Sequence, residues 1–509
     1  MKLEKFTIIL LLILLASGLA QLYGANIFPF EGHIIRDTHI AEGIASGREM
    51  RLVGPTSEAE QNSGQQTLGP LYYYLLSAPL LFAKDSIANP VRLYGAIILF
   101  NLIAILLTYL FCREFFTKKI GIIAALLFST APWAVVHFKL IVTPSFLPVF
   151  VLLFMISLFK LHLKNDSKYI ILLAFSAAAL LHLHLSSLFL LPLAALVVFF
   201  SRKNIKLKHI LAAIAILFIM FAPATYYNLQ NSENGAGGFL SGRLSGETNH
   251  LLYAIESFGI PVLMVTNYLG TYWLGKAELF SGQAGNTIYL LSAVVIGIFF
   301  LLSAVYLMRY ALGRFDKPAI LLFAWILMPV FVFAIMGQNV SPHFFIIIWP
   351  APFIIMALFV EKLSKKSWLA WGLLAFILLA NITTIGALHG LLEREGGTSS
   401  AFGTSYAAKM AVVDYVRTRY DITTPICFIK HPKAGYVYLF EKAGYSNIKL
   451  INIPQDFSEK CGGILIIDRF TMFDYGEKKL KADDLQFINT MNRTTIYHAE
   501  IAESIGKAG

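Results

Sequence analysis

Apolar residues in this chain come in long unbroken blocks, not in the short alternations of a soluble fold. Blocks of about 18 residues or more suit helices that cross ~30 Å of hydrocarbon. They predict about eleven spans, near 6–24, 92–112, 119–137, 145–163, 168–184, 187–200, 209–228, 286–311, 318–337, 343–361 and 368–389. One more block, "LGPLYYYLLSAPLLFAK" at 68–84, holds about fifteen apolar residues, or ~22 Å of helix. That is short of a crossing.

Whether 68–84 crosses decides the sidedness of everything after it. If it does not, the loops "CREFFTKK", "KLHLKNDSK", "SRKNIKLK", "RYALGRFDK" and "EKLSKKS" share a side with the basic N-terminus. All five are rich in Lys and Arg, as cytoplasmic loops are. If it crosses, all five face outward against that rule. The segment is therefore expected to be a re-entrant or juxtamembrane helix. The start "MKLEKFTIILLLILLASGLAQLYG" is expected to be an uncleaved first helix, not a signal peptide, with Lys2 and Lys5 in the cytoplasm.

The resulting fold class is a polytopic α-helical membrane protein of the cell (plasma) membrane. A transmembrane region occupies 1–389, with outward loops at 25–91 and 229–285. A small extracytoplasmic α/β domain follows at 390–509. In that tail "YAAKMAVVDYVRTRY" has helical spacing, and "ICFIK", "IKLINI" and "GILIID" read as buried strands. Cys427 and Cys461 both lie there and are able to pair; Cys112 closes a span.

Composition agrees. The chain has 509 residues, 57% hydrophobic and only 14% charged, about half the usual charge of a soluble protein. The net charge of +11 resides largely in the inner loops and is no nucleic-acid signal. No G-x-G-x-x-G or G-x-x-x-x-G-K-[ST] follows a strand in the tail, so no nucleotide site is indicated. No H-E-x-x-H, C-x-x-C or D-x-D occurs, so neither a metal nor another cofactor is expected. "MFDYG" at 472–476 is read as a chance match to an acceptor motif.

Chemistry concentrates on the outward side. The first loop carries Glu31, His33, Arg36, Asp37 and His39 in nine positions. Other outward loops contribute His137, Lys139, His182, His184, Arg243, His250, Lys276 and His343. Ionisable groups near the membrane are costly and are functional candidates. Asp37 is expected at the start of a helix whose Ile40, Ala41, Ile44 and Ala45 form a stripe for the membrane surface. It is either an N-cap or a rigidly held base. Lys139 is a snorkelling anchor or a phosphate ligand. His182 and His184 are span-end caps or ligands. Tyr72, Tyr73 and Tyr74 form an interfacial belt or stack on sugar or lipid. Arg243, in the Gly/Ser-rich 231–247 stretch, is a further phosphate candidate. A carboxylate ringed by cations suits deprotonation of a hydroxyl or amine while a phosphate departs. Outside the cell, such a leaving group is most naturally a lipid phosphate.

The "RD" of the first loop, "LGPLYYYL", "APWAVVHFKLIVTPSFLP", "LHLHLS" and "PHFFIIIWP", in that order, resemble the GT-C membrane glycosyltransferases. The resemblance is to the family 39 group, with its protein O-mannosyltransferases and lipid A aminoarabinose transferases, and covers roughly residues 1 to 390. It implies an inverting transfer from a polyprenyl-phosphate-linked sugar to a lipid, glycan or protein acceptor, within the membrane lipids. It implies an outward catalytic aspartate in the first loop and usually no metal. "FEGHIIRD" offers both Glu31 and Asp37; the spacing to the Gly47 turn favours Asp37. Arg36, His33, Tyr72, His137, Lys139, His184, Arg243 and His343 are the candidate donor-binding residues. The family's arginine ahead of its "Y-L-P" stretch is replaced here by His343. A ligase of whole lipid-linked glycans and a lipid flippase are the alternatives. Charges grouped at span ends, without internal repeats, disfavour the flippase.

Overall fold

The computed structural model describes residues 4–55, 68–82, 90–230, 250–336, 341–429, 434–451, 463–468, 485–491 and 494–499, except single positions 276, 366, 399 and 401. Eight of its helices are long and apolar enough to cross a membrane, and a ninth span forms if the pair Pro342–Ile348 and Ala351–Ser364, bent by 56°, counts as one. Chain order runs α1 (Lys5–Leu22), α2 (Gly32–Ala45), α3 (Leu71–Ser77), α4 (Pro90–Phe115), α5 (Lys118–Thr130), α6 (Pro132–His137), α7 (Leu147–Leu163), α8 (Tyr169–Leu183), α9 (Leu191–Ser201) and α10 (Leu207–Gln230). It continues through α11 (His250–Leu263), α12 (Gly270–Leu274), α13 (Gly282–Arg314), α14 (Lys317–Met336), α15 (Ala351–Ser364) and α16 (Leu369–Glu395).

The difference from eleven expected spans has local causes. At 119–137 the chain breaks before Pro132, leaving a 13-residue helix and a short second one. At 168–184 the helix has 15 residues, or ~22 Å, and ends where His184 turns extended. The stretch read as a loop at 229–285 also differs. Among its described residues, α11 is an apolar helix packed against α14. Met264, Val265, Leu269 and Trp273 after it are buried. α3 runs into a 3₁₀ turn at Ala78–Phe82, a short apolar helix that reaches no membrane-spanning length.

The basic loops gather at one end of the bundle. Lys118 pairs with Glu4 at 2.6 Å, and Lys119 bonds Ser364 at 3.0 Å. Lys160 pairs with Glu114. Asn204 donates to Asn165 at 2.6 Å, and Ser167 bonds His209 at 2.8 Å. His162 lies within electrostatic reach of Lys317. The N-terminus and all five loops thus meet, as expected if segment 68–84 does not cross.

The opposite end carries α2, α3 and the C-terminal domain. That domain contains α17 (Tyr406–Arg417), β1 (Ile426–Ile429), α18 (Ala434–Lys442), β2 (Ile448–Ile451), β3 (Ile464–Asp468), β4 (Leu485–Met491) and β5 (Thr494–Ala499). Ser405 caps α17 by accepting from Ala408 N at 3.2 Å. The sheet order is β2-β1-β3-β5-β4, with β1 parallel to β2 and β3, and β5 antiparallel to β3 and β4. The apolar β1 and β3 are central strands, where parallel pairing favours such runs. The sequence reading contained α17 and β1 to β3, but not α18, β4 or β5.

A sidedness prediction follows from this arrangement. Cysteine at exposed position Arg48, beyond α2, is expected to react with a membrane-impermeant reagent on intact cells. Cysteine at exposed position Lys203 is expected to react only after permeabilisation. The opposite pattern would invert the orientation.

Candidate active site

α2 is a 14-residue helix between α1 and the described part of the first loop. Glu31 stands at its N-cap position, with no side-chain capping bond. Asp37 is therefore well inside the helix, not at its start, and the capping explanation for it is removed. Ile40 and Ala41 are buried within the fold, so the predicted stripe does not lie open on a membrane surface. Thr38 helps fix the helix by donating to Ile34 O at 2.7 Å.

Asp37 is only 2% exposed. Its Oδ1 accepts from Arg36 Nε at 2.9 Å and lies 2.9 Å from the second Arg36 nitrogen. The Tyr73 hydroxyl donates to the same oxygen at 3.2 Å. Burial raises the pKa of Asp37, and Arg36, His33 and Tyr72 oppose that rise. Burial and the Asp37 charge raise that of Tyr73, which stays a protonated donor. Tyr72 donates to Ile141 O at 3.2 Å. Tyr72 and Tyr73 are thus turned inward and are no aromatic belt, whereas Tyr74 is exposed and donates to Arg51 O at 3.0 Å.

His33 adjoins this carboxylate and begins a series of contacts that runs through histidines of three other elements. His33 is one helical turn before Asp37 and within electrostatic reach of both Asp37 and His343. His343 stands edge-on to His184 with ring centroids 5.5 Å apart, and Ser341 bonds its Nδ1 at 2.7 Å. His184 caps the following 3₁₀ turn by accepting from Ser186 N at 3.2 Å. His137 is buried against Trp273 and Trp349, at 5.1 and 5.8 Å between centroids, and also feels His343. Among the described residues, neither His137 ring nitrogen has a hydrogen-bond partner.

Other candidates are placed differently. Glu31 accepts from Lys409 Nζ at 3.1 Å and from Thr404 N at 3.3 Å, both in the C-terminal domain. Lys139 is buried with its ammonium 3.5 Å from Gly24 O and 5.9 Å from the centre of the Tyr94 ring. Desolvation lowers its pKa to about 8. His182 is buried against Phe221, at 5.1 Å, and against Gly69. Its place is under the "LGP" turn before α3. Arg243, Lys276 and "MFDYG" lie outside the described residues, as does the side chain of His250.

Two contributors, Tyr272 and Trp273, were not singled out by the sequence reading. Tyr272 hydrogen-bonds Ser341 at 3.3 Å and stacks on Trp133 at 5.9 Å, and Trp273 covers His137. The aromatic run "TYWLG" inside a supposed loop was the available signal. Among the described residues, no group of three or more His, Cys, Asp or Glu is arranged to hold a metal ion.

A family model for dolichyl-phosphate-mannose-protein mannosyltransferases matches residues 68–227, roughly a third of the chain. No curated protein sequence matches significantly. Among solved structures, ArnT from Cupriavidus metallidurans bound to undecaprenyl phosphate superposes with a TM-score of 0.57 at 10% identity, covering 97% of each chain. An Archaeoglobus fulgidus oligosaccharyltransferase tethered with an acceptor peptide gives 0.51 at 13% identity, covering 91% of this chain and 69% of its own. The chain thus shares its fold with ArnT and with this oligosaccharyltransferase.

The contact beneath α3 gives a stability prediction. A Cβ at Gly69 would run into the His182 ring. Gly69→Ala is expected to cost about 1–3 kcal/mol by overpacking, read as a lower thermal midpoint in detergent. His182→Ala in the same chain is expected to restore much of it. An unchanged midpoint for Gly69→Ala would contradict the packing.

Proposed function

We propose that this GT-C-fold protein transfers a sugar from a polyprenyl-phosphate-linked donor to a lipid, glycan or protein acceptor at the extracytoplasmic face. The observation that carries this is a nearly inaccessible carboxylate, Asp37, held by Arg36 and Tyr73 beside His33, which is itself within reach of the His343–His184 pair. The family-model match and the undecaprenyl phosphate bound by ArnT support the class of donor.

In this reading Asp37 is the general base. It takes the proton of an acceptor hydroxyl or amine as that oxygen or nitrogen attacks the anomeric carbon. The bond from the anomeric carbon to the phosphate oxygen breaks, and its electron pair leaves with the polyprenyl phosphate. Arg36 sits beside the base with 44% of its side chain exposed, available to the developing phosphate charge. His343 and His184 provide ring N–H donors to the same charge. Inversion follows from a single displacement. Glu31 is the less suitable base, because its carboxylate is already paired with a buried lysine.

Asp37→Asn is expected to lower transfer by about 10²–10⁴-fold while the protein stays folded. The amide keeps the size and still accepts from Tyr73 but cannot take a proton. Activity of the parent is expected to fall with acidification as Asp37 takes up a proton. The burial that raises its pKa puts that loss above the ordinary aspartate range. Purified protein, a polyprenyl-phosphate sugar and a permissive acceptor provide the assay, with thermal stability measured in parallel. Near-normal turnover by Asp37→Asn would refute the assignment.

A further inference from the structure

The helix that carries Asp37 is held by the C-terminal domain at both ends. Before its start, Tyr406 N donates to Phe28 O at 2.8 Å, Ala407 N to Asn26 O at 3.0 Å, and Phe30 N to Thr404 O at 3.1 Å. The Tyr406 ring packs on Phe28 and Phe30, with centroids 5.4 and 5.3 Å away. Glu31 then pairs with Lys409, which is only 1% exposed. Near the helix end, Glu42 pairs with Lys442 at 2.9 Å and accepts the Tyr438 hydroxyl. Tyr438 also meets His39 edge-on at 4.7 Å. Asp37 lies between these clasps, six residues after Glu31 and five before Glu42.

The chemistry of the clasps is directional. A buried lysine is strongly unfavourable without a counter-charge, so Lys409 fixes where the Glu31 carboxylate sits. α18 approaches closely enough that a Cβ at Gly435 would collide with Phe30 O. A 14-residue helix is marginal by itself in water, so tertiary contacts set its placement. We propose that Glu31–Lys409 and Glu42–Tyr438–Lys442 are positioning contacts through which the C-terminal domain sets the placement of α2 and thereby aims Asp37. This rests on the reading of Asp37 as the base. It gives the two remaining carboxylates of α2 and its N-cap a role other than chemistry.

The test uses purified full-length protein with Glu31→Gln, Lys409→Met, Tyr438→Phe and Glu42→Gln. A base displaced by about an ångström loses up to ~10²-fold in rate. The expected result is therefore a fall in kcat of about ten- to a hundredfold, with the KM for the lipid donor little changed. The acid limb of the pH–rate profile is expected to move to lower pH. Asp37, faced by Arg36, His33, Tyr72 and Tyr73, gains water when α2 loosens and loses the burial that raised its pKa. A loss of folded protein alone would lower the rate without moving that limb. The double variant Glu31→Gln/Lys409→Met is expected to be no worse than the poorer single variant, as for two groups acting as one unit. If Lys409→Met does not fold, Tyr438→Phe and Glu42→Gln carry the test, since each keeps its packing. Parental kcat and an unshifted limb in those two, with Asp37→Asn inactive, would overturn this inference alone. An active Asp37→Asn would overturn the base assignment and this inference with it.

Discussion

A carboxylate that is almost wholly buried must be paired, and the pairing of Asp37 organises the end of this protein opposite the basic loops. Arg36 supplies charge from the next position on the helix, and Tyr73 supplies a hydroxyl from α3. Satisfying Asp37 therefore requires α2 and α3 to pack against each other, which needs α3 to stay at the same end of the bundle as α2 instead of crossing. That in turn fixes the parity of the helices after it and brings the basic loops to the far end. The same requirement explains Gly69, where the chain enters α3 against the His182 ring.

The three acids in and beside α2 are separated by their partners. Asp37 faces tyrosines of α3, the adjacent arginine and His33 of its own helix. Glu31 and Glu42 face cations of the C-terminal domain. Residue type alone does not distinguish them, because their partners lie 36, 378 and 400 residues away in the chain. The C-terminal part of the chain is consequently built into the same end of the molecule, joined to the segment before α2 by main-chain bonds and ring contacts.

Much of this was legible in the sequence where the controlling force is local or is the membrane itself. Apolar blocks located the principal helices, and Lys and Arg identified the loops that share an end. His33 and Asp37 stood out in the polar first loop and His184 and His343 in other loops of that side, and the structure links them in series from Asp37 through His33 and His343 to His184. Legibility failed where packing decides. Nothing in "YYY" says that the first two rings turn inward and the third outward. The helix at His250–Leu263 was hidden because it lies in a segment read as a loop. The break at Pro132 was hidden inside a continuous apolar run. β4 and β5 carry polar residues such as Gln486, Asn489, Thr494 and Thr495, so no apolar run marked them. Lys139 looked like a partner for the site, yet its ammonium contacts Gly24 and Tyr94.

The fold is shared with enzymes whose sequences are only 10–14% identical to this one, so the site must be judged by its own groups. The most direct measurement is a structure of the protein with a bound polyprenyl phosphate. The account predicts the phosphate between Asp37 and the His343–His184 pair, with at least one ring nitrogen or the Arg36 guanidinium in hydrogen-bond range. A headgroup at the basic end of the bundle, or separated from Asp37 by the packed helices, would contradict it.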